Sequence, residues 1–151
     1  MRVFLMRHAD AAWGDQPDHE RPLSARGVEE AGRMARWLRD AGHRPTQVWC
    51  SDAQRAVETA RIVHAEVGGD GPHEAPALYT AAAPDLKAFV SDIPDGCLVV
   101  GHNPTMESAV HRWVDDPPVP DDGQVMKPGS VAWLDLTRRR LLAWQRPDLL
   151  L

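Results

Sequence analysis

The chain has 151 residues with 43% hydrophobic and 26% charged residues, which fits one globular domain and leaves no room for two domains each with its own core. At this length about 68–70% of the unfolded surface can be buried, so neither disulfides nor a structural metal is required for folding. A net charge of -5 with cationic residues scattered through every segment excludes the basic stripe of a general nucleic-acid binder. Of the 17 basic residues only Lys87 and Lys127 are lysine; this reads as compositional bias, so an arginine counts as functional only inside a motif. Cys50 and Cys97 lie in apolar runs without CxxC spacing and read as buried thiols in a reducing compartment. No apolar stretch approaches membrane-spanning length, and the start MRVFLMRHAD is too short for a signal core, so no membrane partner and a cytoplasmic location are expected.

In chain order, Val3–Met6 is a continuous apolar run and predicts a strand covered on both faces. Ser24 offers an N-cap to a helix carried by Val28, Ala31, Ala35 and Leu38 and stopped at Gly42. Gln47–Cys50 predicts a second strand, followed by a helix through Ala53, Ala56, Val57, Ala60, Val63 and Val67 that closes at Gly68-Gly69. A weaker strand is expected around Glu74–Leu78, then a short helix over Pro84–Ser91. Cys97–Val100 is the clearest buried strand; it runs into Gly101-His102-Asn103-Pro104, where Asn103 can cap and Pro104 can begin a helix to about Val114. Asp115–Gly123 is a connector rich in Pro and Asp. Ser130–Leu136 and Leu141–Gln145 predict two antiparallel strands at the end of the sheet. The alternation implies an α/β three-layer sandwich, helices on both faces of a mostly parallel central sheet, as a single domain over residues 1–151. Ligands of such folds bind beyond the carboxyl ends of the strands.

Three unusual groups fall at three such ends. Arg7-His8 follows the first strand, Ser51 to Arg55 follows the second, and Gly101-His102-Asn103 follows the fourth. A neutral imidazole can attack phosphorus, and arginines can clamp phosphoryl oxygens while charge develops on them. The helix after Pro104 adds the positive end of its dipole near the same rim. The pattern fits phosphoryl transfer.

The segments LMRHAD (Leu5–Asp10), RPLSARG (Arg21–Gly27), SDAQRAVETA (Ser51–Ala60) and VVGHNP (Val99–Pro104), in this order, resemble the histidine phosphatase superfamily, which includes cofactor-dependent phosphoglycerate mutases. Chain length and the RPL and GHNP segments resemble its SixA-type phosphohistidine phosphatase branch. The resemblance implies a phosphoglycerate mutase-like fold, His8 as the nucleophile that becomes phosphorylated, Arg7 and Arg55 on the phosphoryl oxygens, and His102 donating a hydrogen bond to one of them. Arg21 and Asp18, on the loop before the first helix, are rim candidates for substrate binding, with solvated loop charges as the competing reading. Asn103 is a third rim candidate, with a helix cap as the preferred reading. Ser51 is expected to serve its turn or cap the second helix, and Glu58 and Thr59 to be structural.

Two departures stand out. The usual RHG is RHA here, with Ala9 beside the nucleophile, which adds a methyl group and narrows the backbone. Where many relatives place an acidic residue after the third strand, the sequence reads Pro76-Ala77-Leu78-Tyr79-Thr80. Glu74, Asp85, Asp10, Asp18 or Tyr79 could stand in, although a phenol is a poor acid at neutral pH. Alternatively the substrate needs no protein acid: phosphohistidine protonated on its remote nitrogen expels neutral imidazole, whereas an alkyl phosphate must expel an alkoxide. Only about thirty residues separate the second helix from the fourth strand, too few for a long lid, so an open site suited to a phosphorylated protein is expected, for example a histidine-containing phosphotransfer domain. A small phosphate ester is the alternative substrate, and a non-catalytic phosphate-binding module the alternative class. His8 and Asp10 could form half a metal site, but no other pair has ligand spacing and the flanking arginines repel a divalent cation, so no metal or cofactor is expected. His19, His43, His64, His73 and His111 are expected at the surface, and the six tryptophans in core or rim packing.

Overall fold

The computed structural model describes residues 1–150. Six strands form one sheet in the order β3-β2-β4-β1-β5-β6. They are β1 (Arg2–Arg7), β2 (Gln47–Cys50), β3 (Asp70–Glu74), β4 (Cys97–Gly101), β5 (Val131–Asp135) and β6 (Arg140–Gln145). β1, β2, β3 and β4 pair in parallel, and β5 runs antiparallel between β1 and β6. Among the described residues five α-helices complete the fold, α1 (Ala25–Asp40), α2 (Gln54–Val67), α3 (Ala77–Thr80), α4 (Ala83–Asp92) and α5 (Thr105–Trp113), with single 3-10 turns at Asp18–Glu20 and Pro147–Leu149.

The period of two in β1 sends its side chains to two different cores. Phe4 and Met6 pack with Val48, Leu98 and Val100 under α1 and α2, where Met34, Ala35, Leu38, Ala60 and Val63 close the layer. Val3 and Leu5 point the other way, with Val99, Ala132 and Leu134, against Leu78, Leu86, Val90, Met106 and Val110 of α3, α4 and α5. The result is the α/β three-layer sandwich, with helices on both faces of a mostly parallel sheet. Both cysteines are fully buried inside it, Cys50 on β2 and Cys97 on β4.

Local signals set the helix ends. Ser24 Oγ accepts the Gly27 N–H at 3.0 Å and caps α1. Gly68, at φ +73°, closes α2 with its N–H on the His64 carbonyl.

Three expectations need correction. The third strand is Asp70–Glu74, not Glu74–Leu78, and Ala77–Thr80 is helical. This edge strand pairs only with β2, so polar Asp-Gly-Pro-His-Glu suffices for it. The apolar signal of Ala75 and Leu78 comes instead from a turn that buries those two residues. α5 begins at Thr105, one residue beyond the expected start, with Pro104 in the cap position. The histidines are not all surface groups. His43 packs its ring against Phe4 and Trp37 at 5.5 and 5.4 Å between centroids, and His19, His64 and His73 are half-buried, leaving His111 exposed among the five.

Candidate active site

The parallel register sets Arg7 of β1 beside Gly101 of β4. The residues that follow, His8 and His102, therefore leave the sheet side by side, and their ring centroids are 5.1 Å apart. The backbone holds this corner: His8 N–H donates to the Gly101 carbonyl and Ser51 N–H to the Val100 carbonyl, both at 3.0 Å. A cavity of about 560 Å³ opens here to solvent. Its lining includes all seven residues singled out from the sequence (Arg7, His8, Asp18, Arg21, Arg55, His102 and Asn103), together with Asp10, Trp13 and Tyr79.

His8 is buried, and its Nδ1 lies 2.7 Å from the Ala9 carbonyl oxygen. A carbonyl only accepts, so Nδ1 carries the proton and Nε2 keeps its lone pair. Nε2 in turn accepts from Arg55 Nε at 3.4 Å. Burial, helped by the neighbouring His102, Arg55 and Arg7, pushes the His8 pKa down to about 3 despite the opposing bond to Ala9. The imidazole is thus neutral at pH 7, with the electron pair needed for attack. Thr59 fixes the adjoining backbone, accepting the Ala9 N–H and donating to the Arg55 carbonyl. The methyl group of Ala9, the departure from RHG, is fully buried against Leu23 and Ala31.

His102 has a different environment. Its Nε2 is 2.8 Å from Ser51 Oγ, which already accepts the Ala53 N–H. That hydroxyl can donate to Nε2, and in this arrangement the His102 proton sits on Nδ1. Burial and the charge of Arg55 lower the His102 pKa to about 4. With Ser51 donating, the two neutral imidazoles offer different atoms: a lone pair at Nε2 of His8 and an N–H at Nδ1 of His102.

Arg55, buried on the first turn of α2, joins His8 to the loop before α1. Its NH1 donates to the Asp18 carbonyl at 2.8 Å and its NH2 to Asp18 Oδ2 at 3.0 Å. The Tyr79 hydroxyl donates to the same carboxylate oxygen at 2.6 Å. These bonds hold the Asp18 carboxyl below the usual carboxylate range, Tyr79 contributing most, and raise the Tyr79 phenol above its ordinary value. Arg7 donates from Nη1 to the Met126 carbonyl, while its buried Nε has no partner among the described residues. The floor thus keeps donor capacity for an anion.

The rim residues divide by what they touch. Arg21 donates to the carbonyls of Ala12 and Ala11 and to Asp18 Oδ1, so its guanidinium ties the loop together. Asn103 Oδ1 accepts the Glu107 N–H in the first turn of α5, and its amide donates to the Met126 carbonyl. Glu58 accepts the Leu23 N–H at 2.8 Å. Asp85 is spent on the Ala82 N–H at the start of α4, and neither it nor Glu74 lines the cavity. The sequence marks Tyr79 only as a weak acid and Ser51 only as a turn residue or helix cap. Their contacts to Asp18 and His102 span 61 and 51 positions and leave no local signal.

A family model described as histidine phosphatase superfamily (branch 1) matches residues 3–83. An uncharacterized chloroplastic protein of Arabidopsis thaliana is 35% identical over 123 residues, 72% of this chain and 56% of its own length. This chain therefore spans little more than half of that relative. The phosphohistidine phosphatase SixA of Escherichia coli is 41% identical over 63 residues, covering 42% of this chain and 39% of its own. Among solved structures, SixA from Agrobacterium tumefaciens superposes with a TM-score of 0.84 at 26% identity, covering 97% of both chains. On the strength of the matched segment, which runs from β1 into α4 and takes in His8 and Arg55, this chain belongs to the histidine phosphatase superfamily.

Proposed function

We propose that the chain is a phosphatase that removes the phosphoryl group of protein phosphohistidine through a covalent phosphohistidine on His8. The observation that carries this reading is the tautomer of His8: a neutral ring, proton on Nδ1 held by Ala9, lone pair on Nε2 beside the Arg55 guanidinium. Nε2 attacks phosphorus, the substrate P–N bond breaks, and its electron pair returns to the leaving imidazole, already protonated on its other nitrogen. As the P–Nε2 bond forms, His8 becomes an imidazolium whose Nδ1–H is stabilised by the Ala9 carbonyl. Arg7, Arg55 and the Nδ1–H of His102 face the phosphoryl oxygens. Water then attacks the phosphorylated His8, the P–Nε2 bond breaks, and dihydrogen phosphate leaves with both protons of that water.

The substrate class rests on the proton inventory. An alkoxide leaving group needs a protein acid, yet Asp18 is held ionised by Tyr79, Arg55 and Arg21, the Tyr79 phenol is raised and committed to Asp18, and Asp10 Oδ2 is occupied by the Ser24 hydroxyl at 2.7 Å. A phosphoramidate brings its own proton. The likeness to SixA of Escherichia coli and the open cavity support a phosphorylated protein, such as a histidine-containing phosphotransfer domain, over a small phosphate ester.

Brief incubation with labelled phosphohistidine should place acid-labile label on the wild-type chain and none on His8→Ala. Continued turnover by His8→Ala would refute the nucleophile assignment. Turnover of a phosphohistidine protein should exceed that of p-nitrophenyl phosphate and sugar phosphates by more than tenfold, about 1.4 kcal/mol of transition-state preference; equal rates point to a general phosphomonoesterase.

A further inference from the structure

Trp13 is 85% exposed, yet it is neither loose nor remote: it lines the mouth of the cavity. The Arg21 guanidinium lies over one face of its indole, 3.7 Å from the ring centroid. Arg21 is itself held by donation to the carbonyls of Ala12 and Ala11 and to Asp18, and the backbone bridge between Ala11 and Leu23 fixes the base of the loop. One face of the indole is therefore held against Arg21, and the rest of the ring stands exposed at the mouth. An exposed tryptophan held in this way is a preorganised stacking surface, because little side-chain freedom is left to lose on binding.

Charge tells what would lie on it. The floor of the cavity is cationic, through Arg7 and Arg55, and suits a phosphoryl anion. The loop that carries Trp13 adds the exposed carboxylates Asp15 and Glu20 beyond Asp18, which is itself paired with Arg55 and Arg21. A ligand anionic at its inner end and cationic at its outer end fits this polarity. Phosphohistidine protonated on its remote nitrogen is such a ligand, and its outer end is a flat ring. A sugar phosphate is neither cationic nor flat there. Indole is the best of the aromatic faces for a cation.

The geometry points to Trp13 as the specificity-determining residue for a planar cationic leaving group, stacking on the imidazolium of phosphohistidine while its phosphoryl group enters the cavity. This inference rests on the proposed reaction and names the part of the site that selects the leaving group. Inorganic phosphoramidate separates the two, because it has the same P–N bond and a protonatable leaving group but no ring.

The experiment is to measure kcat/KM for the wild type, Trp13→Leu and Trp13→Phe on a phosphohistidine peptide and on phosphoramidate. Trp13→Leu should lose about tenfold on the peptide, in the range of a desolvated cation–π contact, while Trp13→Phe stays within about threefold of wild type. Both variants should match wild type on phosphoramidate, and their melting temperatures should be unchanged. Equal losses on both substrates, no loss on either, or a Trp13→Leu variant as active as Trp13→Phe overturns the stacking role and leaves the proposed reaction standing. A wild type inert toward both substrates refutes the reaction itself, and the stacking role with it.

Discussion

His8 and His102 should make the protein lose stability as soon as the pH falls below the ordinary range of histidine. His8 and His102 have folded pKa values of about 3 and about 4, both depressed from an ordinary 6.5 mainly by burial. Between those limits the unfolded chain binds protons that the folded chain refuses, so stability falls as pH drops below 6.5. For His102 the loss levels off near pH 4, and for His8 near pH 3. At pH 4.5, two units below the ordinary value, each ring removes about 2–3 kcal/mol at about 1.4 kcal/mol per unit. Together they remove about 5 kcal/mol, comparable to the whole stability of a marginal domain. The assay is urea unfolding at pH 7 and pH 4.5, on the wild type and on a His8→Asn/His102→Asn double variant. Every other titrating group is common to both proteins, so the difference between the two pH-dependent losses isolates this pair. The double variant should lose about 5 kcal/mol less than wild type. Equal losses, within about 1 kcal/mol, would refute the claim that the site holds its histidines neutral by burial.

Two further substitutions test the framework of the site. A Cβ at Gly27 would stand 2.0 Å from the Asp10 carbonyl oxygen and 2.9 Å from its carbon, atoms that cannot rotate away. Gly27→Ala should therefore cost about 1–3 kcal/mol and lower Tm by about 3–10 °C, and an unchanged melting curve would show that α1 does not press on the loop after His8. Ser51→Ala removes the hydroxyl donated to His102 and should lower kcat on phosphohistidine about tenfold, with little further effect once His102→Ala is present. Additive losses in that double-mutant cycle would sink the assignment of Ser51 as the residue that orients His102.

How much of this was legible in the sequence depended on whether the signal was local. β1 and β4 announce themselves because a strand covered on both faces must be apolar at every position, and Cys97–Val100 is fully buried. Ser24 could be recognised as a cap because its partner is three residues away. β3 was misplaced because an edge strand with a single neighbour can be built from Asp70-Gly71-Pro72-His73-Glu74, which has no apolar period. Within the site, the positions of Arg7, His8, Arg55 and His102 follow from strand ends. What those strand ends could not show is the wiring among their side chains. Tyr79 and Arg55 converge on Asp18 from distant parts of the chain, and Arg21 turns inward to its own loop. These contacts depend on how α3 and the loop before α1 meet over the sheet. The exposed Trp13 is the reverse case: composition makes a tryptophan look like packing material, and only the three-dimensional loop shows that it stands exposed with the Arg21 guanidinium on one face.

The two thiols at the centre of the sheet give the protein a built-in measure of its own opening. Cys50 and Cys97 lie on the adjacent strands β2 and β4, both fully buried, and burial pushes the Cys50 pKa up to about 12. A thiol in that state is inert to alkylating reagents, which react with the thiolate. Labelling then requires that the central strands separate, so its rate counts excursions of the whole sheet and passes over motions of the loops around the cavity. Without any introduced probe, the same two atoms can distinguish a variant that disturbs the mouth of the site from one that loosens the fold beneath it.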